Sequence, residues 1–194
     1  MNLQIQHQEK YSRLELLLRT FFGALYIGIP HLFLLFFISI AYGFMSFITF
    51  WAILFTGKFP RFCFDFILKY MRWQLRVAAS MSNMSDGYPP LGMDAVWPPV
   101  TLDIEYPEQS SRGGLLLRAF LGAIYIALPH GFCLAFRFIG QAVVNFLAFW
   151  AILFSGQYPA GMHAYSVGTY RWIYRIQAYY LMMTDTYPPF SGKE

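Results

Sequence analysis

Charge is what this chain has least of. Only 12% of its 194 residues are charged, about half of the ~25% usual in soluble domains. Thr20 to Gly57 holds no charged residue and Ala119 to Gly156 holds one, Arg137. Each run exceeds the ~20 apolar residues needed to cross a bilayer, which excludes an ordinary soluble domain. Cysteine is almost as scarce. Cys63 and Cys133 occupy non-equivalent apolar surroundings, so both are expected free and buried, with no disulfide framework and no metal pair. Glycine-rich phosphate loops, Gly-x-Ser-x-Gly, His-Glu-x-x-His and Cys-x-x-Cys-His are missing. No Asp or Glu lies in either apolar run to act as acid, base or ligand partner. These gaps predict a protein without catalysis and without a cofactor.

What is abundant is apolar and aromatic: 57% and 21% of residues, with a mean hydropathy of +0.43. The expected class is an all-α integral membrane protein with two short β-strands. Met1–Lys10 lacks the basic, apolar, small-residue order of a cleavable leader. A net charge of +4 is too modest for a nucleic-acid surface and fits topology signals and headgroup contacts.

The landmarks occur twice, at an offset of 99 residues. Leu16-Leu17-Leu18-Arg19 returns as Leu115-Leu116-Leu117-Arg118, Pro30-His31 as Pro129-His130, and Trp51-Ala52-Ile53-Leu54-Phe55 as Trp150-Ala151-Ile152-Leu153-Phe154. Arg72-Trp73 and Arg76 correspond to Arg171-Trp172 and Arg175; Asp86, Tyr88, Pro89 and Pro90 correspond to Asp185, Tyr187, Pro188 and Pro189. Two tandem units follow, residues 1–95 and 96–194, and a site between them should be roughly two-fold symmetric.

Each unit opens on a stretch of period two, 3–7 and 102–106, which predicts a strand. A lone strand exposes unpaired backbone, so the two are expected to pair with each other or with a partner, placing both unit starts on one membrane face. The apolar run would then cross an even number of times. About 38 helical residues extend roughly 57 Å, nearly twice the ~30 Å hydrocarbon core. The reading adopted is therefore a transmembrane helical hairpin, 14–56 and 113–155, its tip near Arg137–Gln141 and its first arm kinked at Pro30 or Pro129. The alternative is one long tilted span preceded by an in-plane helix. Beyond Phe59-Pro60 and Tyr158-Pro159 an amphipathic interfacial helix is expected, 61–84 and 160–183. Arg61, Asp65, Lys69, Arg72 and Arg76 form one face of the first. The second has Ala160, Ala164 and Gly168 on that face and should lie deeper. The hairpin arrangement gathers every basic residue except Arg137 on one side, which the positive-inside rule makes cytoplasmic together with both termini.

Leu-Leu-Leu-Arg, Ile-Pro-His, residues 50–60, Met71–Arg76 and Thr184–Phe190, in the same order in both copies, resemble the bacterial membrane family known as domain of unknown function 4389. The resemblance spans nearly the whole chain. It implies a multi-pass protein of the bacterial inner membrane and brings no activity or catalytic residue with it. Ala160-Gly161, in place of Arg61-Phe62, departs from the pattern.

Three sets of residues are candidates for function. Arg72, Trp73 and Arg76, with Arg171, Trp172 and Arg175, place two guanidiniums on one helical face beside a tryptophan at headgroup depth. They could hold a lipid phosphate or simply anchor the helix. His31 and His130 could face one another around a haem or metal ion, or each could bond a carbonyl or tyrosine near its proline. Arg137, Gln141 and Asn145, spaced four apart, could line a pathway or meet a partner, or mark a hairpin tip with one interhelical bond. His7 and His163 lack repeat equivalents and suggest nothing. The expected function is a non-enzymatic scaffold or accessory subunit of a membrane complex, with lipids, other membrane subunits or further copies as partners. The alternatives are a small transporter, channel or lipid-handling protein at the repeat interface and, more weakly, an electron carrier using the paired histidines.

Overall fold

The computed structural model describes residues 1–193. The first unit contributes β1 (Asn2–Ile5), α1 (Arg13–Gly23), a π-turn (Ala24–Gly28), α2 (Ile29–Thr56) and α3 (Arg61–Met81). The second contributes β2 (Val100–Asp103), α4 (Arg112–Gly122), a π-turn (Ala123–Ala127), α5 (Leu128–Ser155) and α6 (Ala160–Tyr180). The tandem repeat is thus carried into structure element by element.

The hairpin expected at 14–56 and 113–155 does not form. Arg13–Thr56 and Arg112–Ser155 are each one uninterrupted helix of 44 residues, in which no break sets a separate in-plane helix apart from a long span. The sequence explains why. Phe37-Ile38-Ser39-Ile40-Ala41 contains no helix breaker, and Arg137, the proposed tip residue, finds partners on α6 and has no need of water. Neither proline breaks the helix, because the turn before each widens. The Ile29 amide donates to the Ala24 carbonyl and the Leu128 amide to the Ala123 carbonyl, five residues back. A π-turn of this kind makes room where the proline ring would meet the preceding turn. Gly57 and Gly156, at φ of 71° and 72°, end the two helices in the left-handed conformation that glycine adopts without strain.

β1 and β2 pair antiparallel, with Leu3 opposite Leu102. Because 102 is 3 plus the offset of 99, this pair is its own image under exchange of the units. The same exchange relates the contacts of the long helices. Arg13 donates to the Phe154 carbonyl and Arg112 to the Phe55 carbonyl, at 2.8 and 3.0 Å. The Tyr11 amide donates to Gly156 and the Ser110 amide to Gly57, both at 2.9 Å. The units are therefore related by a pseudo-two-fold axis, and the start of each long helix lies antiparallel against the end of the other.

The core gathers between these elements. Leu3, Leu102, Leu16, Ile53, Phe64, Ile67, Met71 and Leu75 are buried in one cluster with Ile152, Tyr174 and Ala178. α3 and α6 touch directly: Tyr170 donates to the Ala78 carbonyl and bonds Ser82 Oγ at 2.5 Å, and Tyr174 donates to the Met71 carbonyl. α3 lies between two layers. Tyr70 stacks on Tyr42 of α2 at 4.9 Å, while Arg72 donates to the Leu102 carbonyl of β2 at 2.7 Å. Two residues are about 200° of helix, so the long helix and the strand pair occupy opposite sides of α3. Cys63 is free and buried; Cys133 is free and only half-buried.

Candidate functional site

The motifs shared by the units assemble into two matching closures. Arg19, 4% exposed, donates to Asp86 at 2.6 Å and to the Ser85 carbonyl at 2.5 Å. Asp86 in turn accepts the Ser12 amide at 2.6 Å, at the residue that caps α1. In the second unit Arg118 donates to Asp185 at 2.7 Å and to the Thr184 carbonyl, and Asp185 accepts the Ser111 amide at 3.1 Å. Each Leu-Leu-Leu-Arg segment is thus locked to the Asp-x-Tyr-Pro-Pro segment of its own unit. A buried guanidinium requires such pairing. Equal spacing of Arg and Asp in both copies was the available signal for this lock, and residue type alone did not single it out.

Beside each lock the histidine of Pro-His meets the tryptophan of Arg-Trp. Trp73 Nε1–H donates to His31 Nδ1 at 2.8 Å and Trp172 Nε1–H to His130 Nδ1 at 3.0 Å. Indole nitrogen can only donate, so Nδ1 accepts and the ring proton resides on Nε2. Tyr88 and Tyr187 lie 5.4 Å from the respective imidazoles, and Phe190 stacks on His130 at 4.0 Å. Each histidine is thus enclosed by its own unit. With Nδ1 engaged and Nε2 protonated, neither ring has a free lone pair to offer an iron. Among the described residues no group of three His, Cys, Asp or Glu could hold a metal ion.

The Arg-Trp-x-x-Arg segments do not form outward-facing anchors. Trp73 and Trp172 are 3% and 5% exposed: the indole N–H that would seek a headgroup is satisfied by histidine. Their arginines hold backbone from other segments: Arg72 and Arg76 the stretch from 92 to 103, Arg171 and Arg175 the N- and C-terminal segments. Arg72 holds the Leu102 carbonyl and Asp103, while Arg171 holds the Leu3 carbonyl and the Gly192 carbonyl. Arg76 is buried on the Gly92 and Ala95 carbonyls, and Arg175 donates to the Lys193 carbonyl at 2.7 Å. Basic and aromatic residues at helical spacing describe a lipid anchor and an internal clamp equally well, and this sequence carries no signal that separates them.

Arg137, Gln141 and Asn145 are brought together on the α5 face that meets α6. Arg137 donates to Thr169 Oγ1 at 3.0 Å and to the Tyr165 carbonyl at 2.8 Å, with its guanidinium 3.7 Å from the Tyr165 ring centre. Gln141 donates to Asn145 and to Ser166 at 2.8 and 2.7 Å. The stripe makes interhelical bonds within the second unit.

One cluster keeps its place in the repeat and changes its chemistry: His7, Tyr158 and His163 stand where the other copy has Tyr106, Phe59 and Phe64, whose rings also meet edge-on, with Tyr106 donating to the Phe59 carbonyl. His7 and His163 lie 5.0 Å apart, His7 Nε2 sits 2.6 Å from the Tyr158 carbonyl, and Tyr158 packs edge-on to His163. Burial, reinforced by the neighbouring His7, pushes His163 down to about 4. This joins the N-terminal segment of one unit to α6 of the other. His7 and His163 are 156 residues apart in sequence and share no pattern, so nothing in the sequence linked them.

These features define a helical protein of two structurally matched units, with two long apolar helices and matching arginine–aspartate and tryptophan–histidine pairs. The family model for Domain of unknown function (DUF4389) matches residues 13–92 and again 117–192, and the chain belongs to that family, in two tandem copies. No curated protein and no solved structure matches it.

Proposed function

We propose that the chain is a membrane-embedded, non-enzymatic scaffold or accessory subunit of a bacterial inner-membrane complex. One observation carries this reading. Large apolar side chains stand exposed along both long helices, from Leu14, Phe22 and Phe33 to Phe55 and from Phe120 and Phe132 to Phe154, while Arg19, Arg118, Trp73 and Trp172, shared by the two units, bond partners inside the fold. Exposed apolar surface on this scale needs lipid or protein cover. The arginine–aspartate and histidine–tryptophan pairs hold the units in shape and present no poised acid, base or nucleophile.

The test is purification from the native membrane in mild detergent, with mass spectrometry of everything retained. Stoichiometric partner proteins are the expected result. A clean oligomer carrying lipid alone overturns the subunit reading in favour of lipid handling. A cleft of about 200 Å³ does lie between the units, lined by Ser46, Thr49, Leu115, Arg118 and Met182. A larger cleft of about 590 Å³, lined by Gln4, Thr101, His163 and Arg171 beside the strand pair, is of ligand-pocket size and supports transport or lipid handling as the second reading.

A further inference from the structure

We propose that both long helices lie within one leaflet of the bilayer and that neither crosses it. This rests on the membrane reading above and adds its geometry. The long helices are antiparallel and exchanged by the two-fold axis, which therefore runs perpendicular to them. If they crossed the bilayer, that axis would lie in the membrane plane, and everything on it would sit at mid-depth. The Leu3–Leu102 strand pair is on the axis. Its outward residues Asn2, Gln4, Thr101 and Asp103 are exposed, and the Asp103 side chain keeps 66% of its exposure beside Arg72. Hydrocarbon does not tolerate an exposed carboxylate.

Turning the axis along the membrane normal removes the conflict. Along it the fold is layered, with strand pair, then α3 and α6, then the long helices, because α3 meets α2 on one side and β2 on the other. Polarity follows the same order. The ribbon faces water. α3 lies at headgroup depth, where half-exposed Lys69 and Arg72 point to the ribbon side and pair with Asp94 and Asp103. The long helices, about 10 Å thick, fit within the ~15 Å of one leaflet. Length agrees: an apolar run of roughly 57 Å exceeds what a crossing helix accommodates even at the ~40° limit of observed tilts. Basic residues gather on one membrane side without any hairpin, and Arg137 is no exception, since its guanidinium turns toward α6.

Single cysteines at the exposed positions Glu9, Gln157, Lys58 and Glu108 test this in the full-length chain with Cys63→Ala and Cys133→Ala. Glu9 and Gln157 mark one end of the helix pair, Lys58 and Glu108 the other. An impermeant maleimide is applied to right-side-out and inverted membrane vesicles, alongside an alkaline carbonate wash. Labelling of all four positions from the same side, with the protein retained in the washed membrane, is expected. Retention with the two ends labelling from opposite sides overturns the single-leaflet arrangement and leaves membrane embedding intact. Release into the carbonate supernatant overturns the membrane reading itself. Should Cys63→Ala fail to fold, the series is repeated with buried Cys63 retained, read against a parent lacking the added cysteine.

Discussion

The seam between α2 and α3 and its counterpart between α5 and α6 have one backbone and two chemistries. In the first unit Ile38 and Tyr42 pack against Tyr70 and its neighbours in an apolar cluster, with Tyr42 stacked on Tyr70. In the second, Arg137, Gln141 and Asn145 face Tyr165, Ser166 and Thr169 through a chain of hydrogen bonds. Even the extra hydroxyl of Tyr165 over Phe66 is matched: Ala41 becomes Gly140, where an added Cβ would stand 2.4 Å from that oxygen. Elements common to both units, the arginine–aspartate lock, the tryptophan–histidine bond and the paired strands, define the architecture. The seams fill it, and compatible volume or compatible hydrogen bonding will each do.

The largest expected difference between the units concerns the locks. Asp86→Ala leaves buried Arg19 without its carboxylate and should cost about 3 kcal/mol, read as a fall in melting temperature in detergent. Asp185→Ala should cost clearly less, since the Asp185 side chain is 41% exposed against 17% for Asp86 and solvent already screens it. Equal losses would break the comparison. Next, Gly140→Ala should destabilise by about 1–3 kcal/mol through overpacking. Adding Tyr165→Phe restores the first unit's pattern at both positions and should recover most of the loss; failure to recover would mean that the seams are not interchangeable.

A pH effect should distinguish the units as well. His163 occupies the place of Phe64, and its value of about 4 lies below the ordinary 6.5. The unfolded chain therefore takes up this proton first. The stability concerned is complete above about 6.5 and drains away as pH falls toward 4, at up to ~1.4 kcal/mol per unit. Thermal melts between pH 7 and 5 should show that decline, and His163→Phe should flatten it. The smallest effect is expected at Trp73→Phe or Trp172→Phe, about 1 kcal/mol each for the lost bond to histidine, and the two should agree closely.

Much of the architecture was legible. The offset of 99 marks the two units, and Phe-Pro and Tyr-Pro mark the starts of α3 and α6; period two marks the strand regions, with β1 and β2 beginning one and two residues earlier than 3–7 and 102–106. The arrangement of the units was not legible, because equivalence in sequence says nothing about which end of one helix meets which end of the other. Bilayer thickness divides a run that contains no breaker, so a hairpin follows from an assumed crossing and not from residues 37–41 themselves. The tryptophans were misplaced because their partner histidines lie 42 residues away in each unit, and a one-helix pattern cannot register a partner on another helix.

The reciprocal packing of the long helices supports every later step, and spin-label distances test it most directly. Labels at Glu9 and Gln157 should be close together, and labels at Glu9 and Lys58 far apart, separated by the length of a helix of about 66 Å or somewhat less if it bends. A short Glu9–Lys58 distance combined with a long Glu9–Gln157 distance would mean that each apolar run folds back on itself, and would contradict the account.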